Sequence, residues 1–227
     1  MYRETALVGG ETYHIFNRGA HKGEIFTCRD DYERFLVLLY LANSSTSLHL
    51  SNILKKYGGL SLISIFEGEE VDQSLVEIYA YCLMPNHFHL VIKPLAEHSL
   101  PLFMKKLATA YSMYFNTKYE HSGVVFQGPY KSKHVGEEAY FRYIFSYVHL
   151  NALDLVDPGW KVHGCKDIRK ARDFFNSYRY SSFPDYSIGE RLERKILSFE
   201  HAPPFLKEMN DLEELFKYLE QGQSLIQ

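Results

Sequence analysis

His87 and His89 are separated by one residue, inside the stretch Tyr81-Cys82-Leu83-Met84-Pro85-Asn86-His87-Phe88-His89-Leu90-Val91-Ile92-Lys93. Side chains alternate along a strand, so the two imidazoles project from one face and Phe88 from the other. Two neighbouring imidazoles on a rigid sheet form half of a metal site. The plainer account of any His-x-His is a hydrogen-bonded surface histidine with a chance neighbour. The apolar strand around this pair and a tyrosine-rich helix downstream weigh against that account.

The downstream helix runs from Glu138 to about Leu153 and carries Tyr140, Tyr143, Tyr147, His149 and Asn151. At about 100° per residue, Tyr147 and Asn151 are neighbours one turn apart, with Tyr140 near the same face. His149 points roughly the opposite way. An Asn151 carbonyl oxygen beside the histidines would complete a His-His-Asn set, but spacing does not bring the two pieces together. A tyrosine stripe packed on the sheet is the simpler reading, and it is the one expected for Tyr140 and Tyr143.

These residues need a frame. Thr12–Asn17 alternates in strand fashion, and Leu75–Leu83 with His87–Lys93 forms a hairpin across Pro85-Asn86. Helices are expected from about Arg29 to Ala42, from Leu48 to Tyr57 (closed by Gly58-Gly59) and from Leu102 to Tyr119. Val124–Phe126 and Tyr130–Val135 read as extended, and Lys166–Phe175 as a basic amphipathic segment. A single acidic helix is expected over Phe205–Leu219. Hairpins in place of regular βα alternation indicate an α+β fold, an antiparallel sheet with packed helices in a ferredoxin or RRM-like arrangement. Residues 1–189 are expected to form one domain, and 190–227 a helical extension.

Three separated cysteines, with no Cys-x-x-Cys pair, argue for reduced thiols and against a zinc ribbon. The N-terminal residues lack a signal-peptide pattern and no apolar run is long enough to cross a bilayer, so a cytoplasmic, nucleoid-associated protein is expected. The net charge of −3 is not that of a general nucleic-acid binder, yet residues 101–189 hold 12 Lys or Arg against 8 Asp or Glu. That local excess suits a phosphate-bearing partner, although scatter alone would account for it. The candidates for phosphate contact are Lys131, Lys133, Lys105, Lys106, Arg169 and Lys170, each equally explained as a solvated surface charge.

Four segments together resemble the single-tyrosine HUH transposases, in the branch of the REP-associated tyrosine transposases. They are Tyr13-His14-Ile15-Phe16-Asn17-Arg18-Gly19, Tyr81 to His89, Val125-Phe126-Gln127-Gly128-Pro129-Tyr130-Lys131-Ser132 and Tyr147-Val148-His149-Leu150-Asn151. A weaker match is Tyr180 to Gly189. The resemblance implies an HUH endonuclease fold in which His87, His89 and Asn151 hold a divalent cation, Mg2+ or Mn2+, and Tyr147 is the nucleophile. It implies cleavage of single-stranded DNA beside a hairpin through a 5′-phosphotyrosine link, by a monomer or homodimer in which residues 1–189 are the catalytic domain with a DNA-contact segment at its end. Ala152-Leu153-Asp154 and Pro129 depart from the family pattern, which bears on DNA contacts more than on catalysis.

The chemistry is consistent with that implication. Ionising a phenol of pKa about 10 at neutral pH costs roughly 4 kcal/mol, and a nearby cation offsets part of it. Imidazoles with an amide oxygen, phosphate oxygens and water favour Mg2+ or Mn2+. A non-catalytic RRM-like nucleic-acid-binding protein is the alternative, since 18 Tyr and 16 Phe offer ample stacking surface. Such a binder has no use for a metal site beside a tyrosine. A His-x-His hydrolase would need an acidic ligand close by, and Leu90-Val91-Ile92 supplies none.

Overall fold

The computed structural model describes residues 7–46, 50–57 and 62–222. The Gly58-Gly59 stop and the N-terminal five residues, on which expectations were placed above, lie outside them. Four strands form one antiparallel sheet: β1 (Tyr13–Arg18), β2 (Val76–Met84), β3 (His87–Pro94) and β4 (Lys131–His134), in the order β2-β3-β1-β4. Helix α1 (Arg29–Leu41) links β1 to β2, followed by the short α2 (Leu50–Lys56) and α3 (Ile65–Gly68). Helix α4 (Ser99–Lys118) links β3 to β4. This is the ferredoxin-like β-α-β-β-α-β order expected from the hairpin pattern.

Helices α1 and α4 pack together on one face, where Phe88 meets Phe35 of α1 at a centroid separation of 5.1 Å. Helix α5 (Glu138–Leu150) covers the other face over β2 and β3. With both faces covered, every residue of β2 is buried. Further on come α6 (Trp160–His163), α7 (Ile168–Ser177), α8 (Phe183–Ser187), α9 (Pro204–Glu208) and α10 (Leu212–Gly222).

The structure departs from expectation at three element ends. Helix α4 begins at Ser99 instead of Leu102, because Pro101 sits in its first turn, where a missing N–H costs nothing. Helix α5 stops at Leu150, and Asn151 opens a 3₁₀ turn to Leu155. The single acidic helix over Phe205–Leu219 is two helices: the Asp211 carboxylate accepts the Glu213 N–H at 2.8 Å and starts α10 afresh. Residues 124–126 are not a named strand, but Phe126 bridges Gly19 and Ala20 N–H donates to the Val125 carbonyl.

The outer edge of β2 is sealed by the returning chain. Leu83 N–H donates to Tyr180 O, Ser182 N–H to Tyr81 O and Ser198 N–H to Ile78 O, each at 2.9 Å. The segment Tyr180–Gly189 therefore lies along this edge. Arg191 and the buried Asp185 clamp it with an ion pair of 2.6 Å.

Candidate active site

β3 places His87 and His89 on the face that α5 covers, with ring centroids 5.1 Å apart. Pairing with β1 sets Arg18 opposite His87 and Phe16 opposite His89, and pairing with β4 sets Lys131 opposite Phe16 and Lys133 opposite His14. Directly paired residues share a face. One row across the sheet therefore reads Lys131, Phe16, His89, and its neighbours carry Lys133 with His14 and Arg18 with His87.

Helix α5 brings Tyr147 onto this face. Its ring meets His89 edge-on at 5.5 Å and His14 at 5.9 Å. Tyr143 stacks on Tyr147 at 6.2 Å and Tyr140 on Tyr143 at 6.0 Å, a ladder of which Tyr147 is the rung beside the histidines. Tyr143 also meets the C-terminal helix. Its ring lies against Gly222 of α10, where an added Cβ would come within 2.3 Å of it. His149 turns away, buried, and its Nε2 bonds Ser182 Oγ at 2.8 Å.

Asn151 is buried next to Tyr147, and its amide donates to the Tyr147 carbonyl at 2.6 Å. That bond occupies the nitrogen and leaves Oδ1 as the acceptor. Among the described residues, no three His, Cys, Asp or Glu side chains gather to hold a metal ion by themselves. A cation at the histidines would need donors outside that set, such as an amide oxygen, phosphate oxygens or water.

The two imidazoles fit a cation in other respects. His87 Nδ1 bonds Asn86 Oδ1 at 2.6 Å, and His89 Nδ1 bonds His14 Nε2 at 2.8 Å. Both rings thus keep Nε2 as the nitrogen available to a metal. Burial lowers the His87 pKa to about 4, with help from Arg18 and Lys161 against the pull of Asp154. Burial, then His14 and His87, holds His89 well below the ordinary value. All are neutral at pH 7, the state a metal ligand requires.

Sequence reasoning missed Lys161 and Asp154. Lys161 lies 6.0 Å from the Tyr147 ring centre and is paired with Asp154 at 2.7 Å. The departure from the family pattern at Ala152-Leu153-Asp154 was expected to bear on DNA contacts more than on catalysis, and nothing in its spacing reveals Lys161 as the partner of Asp154.

Of the proposed phosphate contacts, Lys131 and Lys133 are exposed on β4 on the histidine face. Arg169 and Lys170 are exposed on α7, which packs against the Asn151–Leu155 turn. Lys105 and Lys106 lie on α4, across the sheet from the histidines. Lys106 donates to the Ser44 and Thr46 carbonyls, so its ammonium holds a loop.

Residues 49–151 match the family model described as "Transposase IS200 like". That stretch, just under half of the chain, holds the histidine pair, Tyr147 and Asn151, and is where the chain is similar to IS200-like transposases. The segments Tyr13–Gly19 and Tyr180–Gly189 lie outside it. A solved structure of a REP-associated tyrosine transposase bound to a REP hairpin aligns over 85% of this chain and 89% of its own, with 12% identity and a TM-score of 0.44. No curated protein matches the chain. No helix among the described residues is long and apolar enough to cross a membrane.

Proposed function

We propose that this protein is a metal-dependent transposase of the REP-associated tyrosine type, which cuts single-stranded DNA beside a hairpin and rejoins it. The observation that carries the reading is the edge-on apposition of Tyr147 to His89, next to His87. The hairpin as substrate follows from the motif resemblance.

In this reading Tyr147 Oη attacks the scissile phosphorus and the O3′ of the preceding nucleotide departs. The products are a 5′-phosphotyrosine and a free 3′-hydroxyl, which takes up the proton that the phenol releases. Because a phosphodiester replaces a phosphodiester, the reaction reverses when another 3′-hydroxyl arrives. His87, His89 and Asn151 Oδ1 would hold Mg2+ or Mn2+, which supplies charge neutralisation at the phosphate when bound. The tyrosine ladder fixes the nucleophile, and positioning of this kind is the main demand of phosphoryl transfer. Lys131, Lys133 and Arg18 line the approach as phosphate contacts.

The test is a denaturing gel of protein incubated with Mn2+ and hairpin-bearing single-stranded DNA. Wild type gives a covalent adduct, Tyr147→Phe gives none, and Tyr140→Phe keeps it. Loss of the adduct in Tyr140→Phe with retention in Tyr147→Phe moves the nucleophile. Tight binding without any adduct leaves the non-catalytic RRM-like binder.

A further inference from the structure

His14 belongs to the Tyr13–Gly19 motif, yet nothing in the reaction above uses it. It sits 4% exposed on β1, one strand over from the histidine pair. Its Nε2 lies 2.8 Å from His89 Nδ1. The two rings are inclined by 21° with centroids 5.0 Å apart. An N···N line of 2.8 Å takes up most of that separation, so the nitrogens meet head-on. This is its side chain's one hydrogen bond among the described residues, because Nδ1 is buried without a partner.

We propose that His14 is a positioning residue for the metal centre, accepting the Nδ1–H of His89 so that His89 presents its Nε2 lone pair to the cation. The inference rests on the metal reading above. A neutral imidazole that binds through Nε2 must carry its proton on Nδ1, and a buried Nδ1–H needs an acceptor. The 2.8 Å contact to His14 Nε2 supplies one. His14 then carries its own proton on Nδ1, which is buried without a hydrogen-bond partner, a cost that a cation bound at His89 Nε2 would have to offset. Phe16 stacks on the outer side of the His14 ring at 5.0 Å and 28°, holding it in line.

The test is Mn2+ binding by the metal-free full chain, followed by loss of the free-ion EPR signal. His14→Phe keeps a ring against Phe16 but removes the acceptor. His14→Gln loses the ring but places an amide oxygen near the Nε2 position. His14→Phe is expected to weaken Mn2+ binding by about 10–100-fold, with His14→Gln close to wild type. A packing role alone gives the reverse order. Wild-type affinity in a folded His14→Phe overturns the inference, as does an equal loss in His14→Gln with unchanged melting. His87→Ala is the control: if wild-type Mn2+ binding is absent or survives His87→Ala, the metal centre itself falls and takes this inference with it.

Discussion

Asp154 Oδ2 accepts a hydrogen bond from the Lys161 ammonium at 2.7 Å, and that ammonium lies 6.0 Å from the centre of the Tyr147 ring. In the proposed reaction, a cation here would face the charge that grows on the phosphate oxygens and the departing O3′. Both members of the pair are partly exposed, so the effect is smaller than for a buried donor. Lys161→Met is expected to slow single-turnover adduct formation by about tenfold, against the 10²–10³ typical of a buried donor. Asp154→Asn keeps the cation and slows it far less. Quenched time courses with saturating DNA separate the two.

Lys131 and Lys133 lie on the histidine face of β4. Each phosphate contact to a single strand contributes about 0.7 to the slope of log K against log salt. The double change Lys131→Ala with Lys133→Ala should therefore reduce that slope by about 1.4. Lys105→Ala, on the opposite side of the sheet, should leave it unchanged. Fluorescence anisotropy across a sodium chloride series reads both.

Acid should loosen the α1–α4 face. Asp31 is fully buried. Burial alone would raise its pKa, but Lys118, Tyr119, the Thr27 N–H and Tyr114 outweigh burial and hold the carboxyl well below the usual range. The unfolded chain binds that proton near pH 4, so the stabilisation is complete above that pH and drains away as pH falls below it. Asp31→Ala is expected to cost about 3 kcal/mol at pH 7, leaving Lys118 only its longer 3.9 Å pairing with Asp30. It should also flatten the acid limb of stability measured by urea unfolding between pH 7 and pH 3.

Gly222 of α10 presses on Tyr143, the middle rung of the ladder behind Tyr147. Gly222→Val has no room and is expected to destabilise the fold by about 1–3 kcal/mol. It should slow adduct formation while leaving hairpin affinity unchanged. A melting curve, an adduct time course and a binding isotherm on the same sample check the three parts.

The sheet was legible because the alternation of Thr12–Asn17, the apolar runs of β2 and β3 and the Pro85-Asn86 turn between them are local signals. His87 and His89 share a face because side chains alternate along a strand, and α5 follows from the acidic residues that open it. What stayed hidden depends on long-range register. His14 reaches His89 only because β1 pairs with β3 so that His14 faces Val91. Lys161 reaches Tyr147 only after the chain has turned through the Asn151–Leu155 segment. The break inside the acidic C-terminal stretch turned on one side chain, Asp211, whose cap outcompetes helical continuation. The ends of α4 and α5 moved by a few residues, as boundaries do when a first-turn proline or a 3₁₀ turn is tolerated.

The sealed margin of β2 has a consequence for how copies of this chain behave when concentrated. Strand-on-strand aggregation needs a free margin, and among the described strands only β4 offers one. It is four residues long and carries lysine at alternate positions, which discourages a like-charged neighbour from adding on. Lys131 and Lys133 would thus serve two masters, colloidal behaviour and grip on the substrate, and neutralising them to weaken one would be felt in the other.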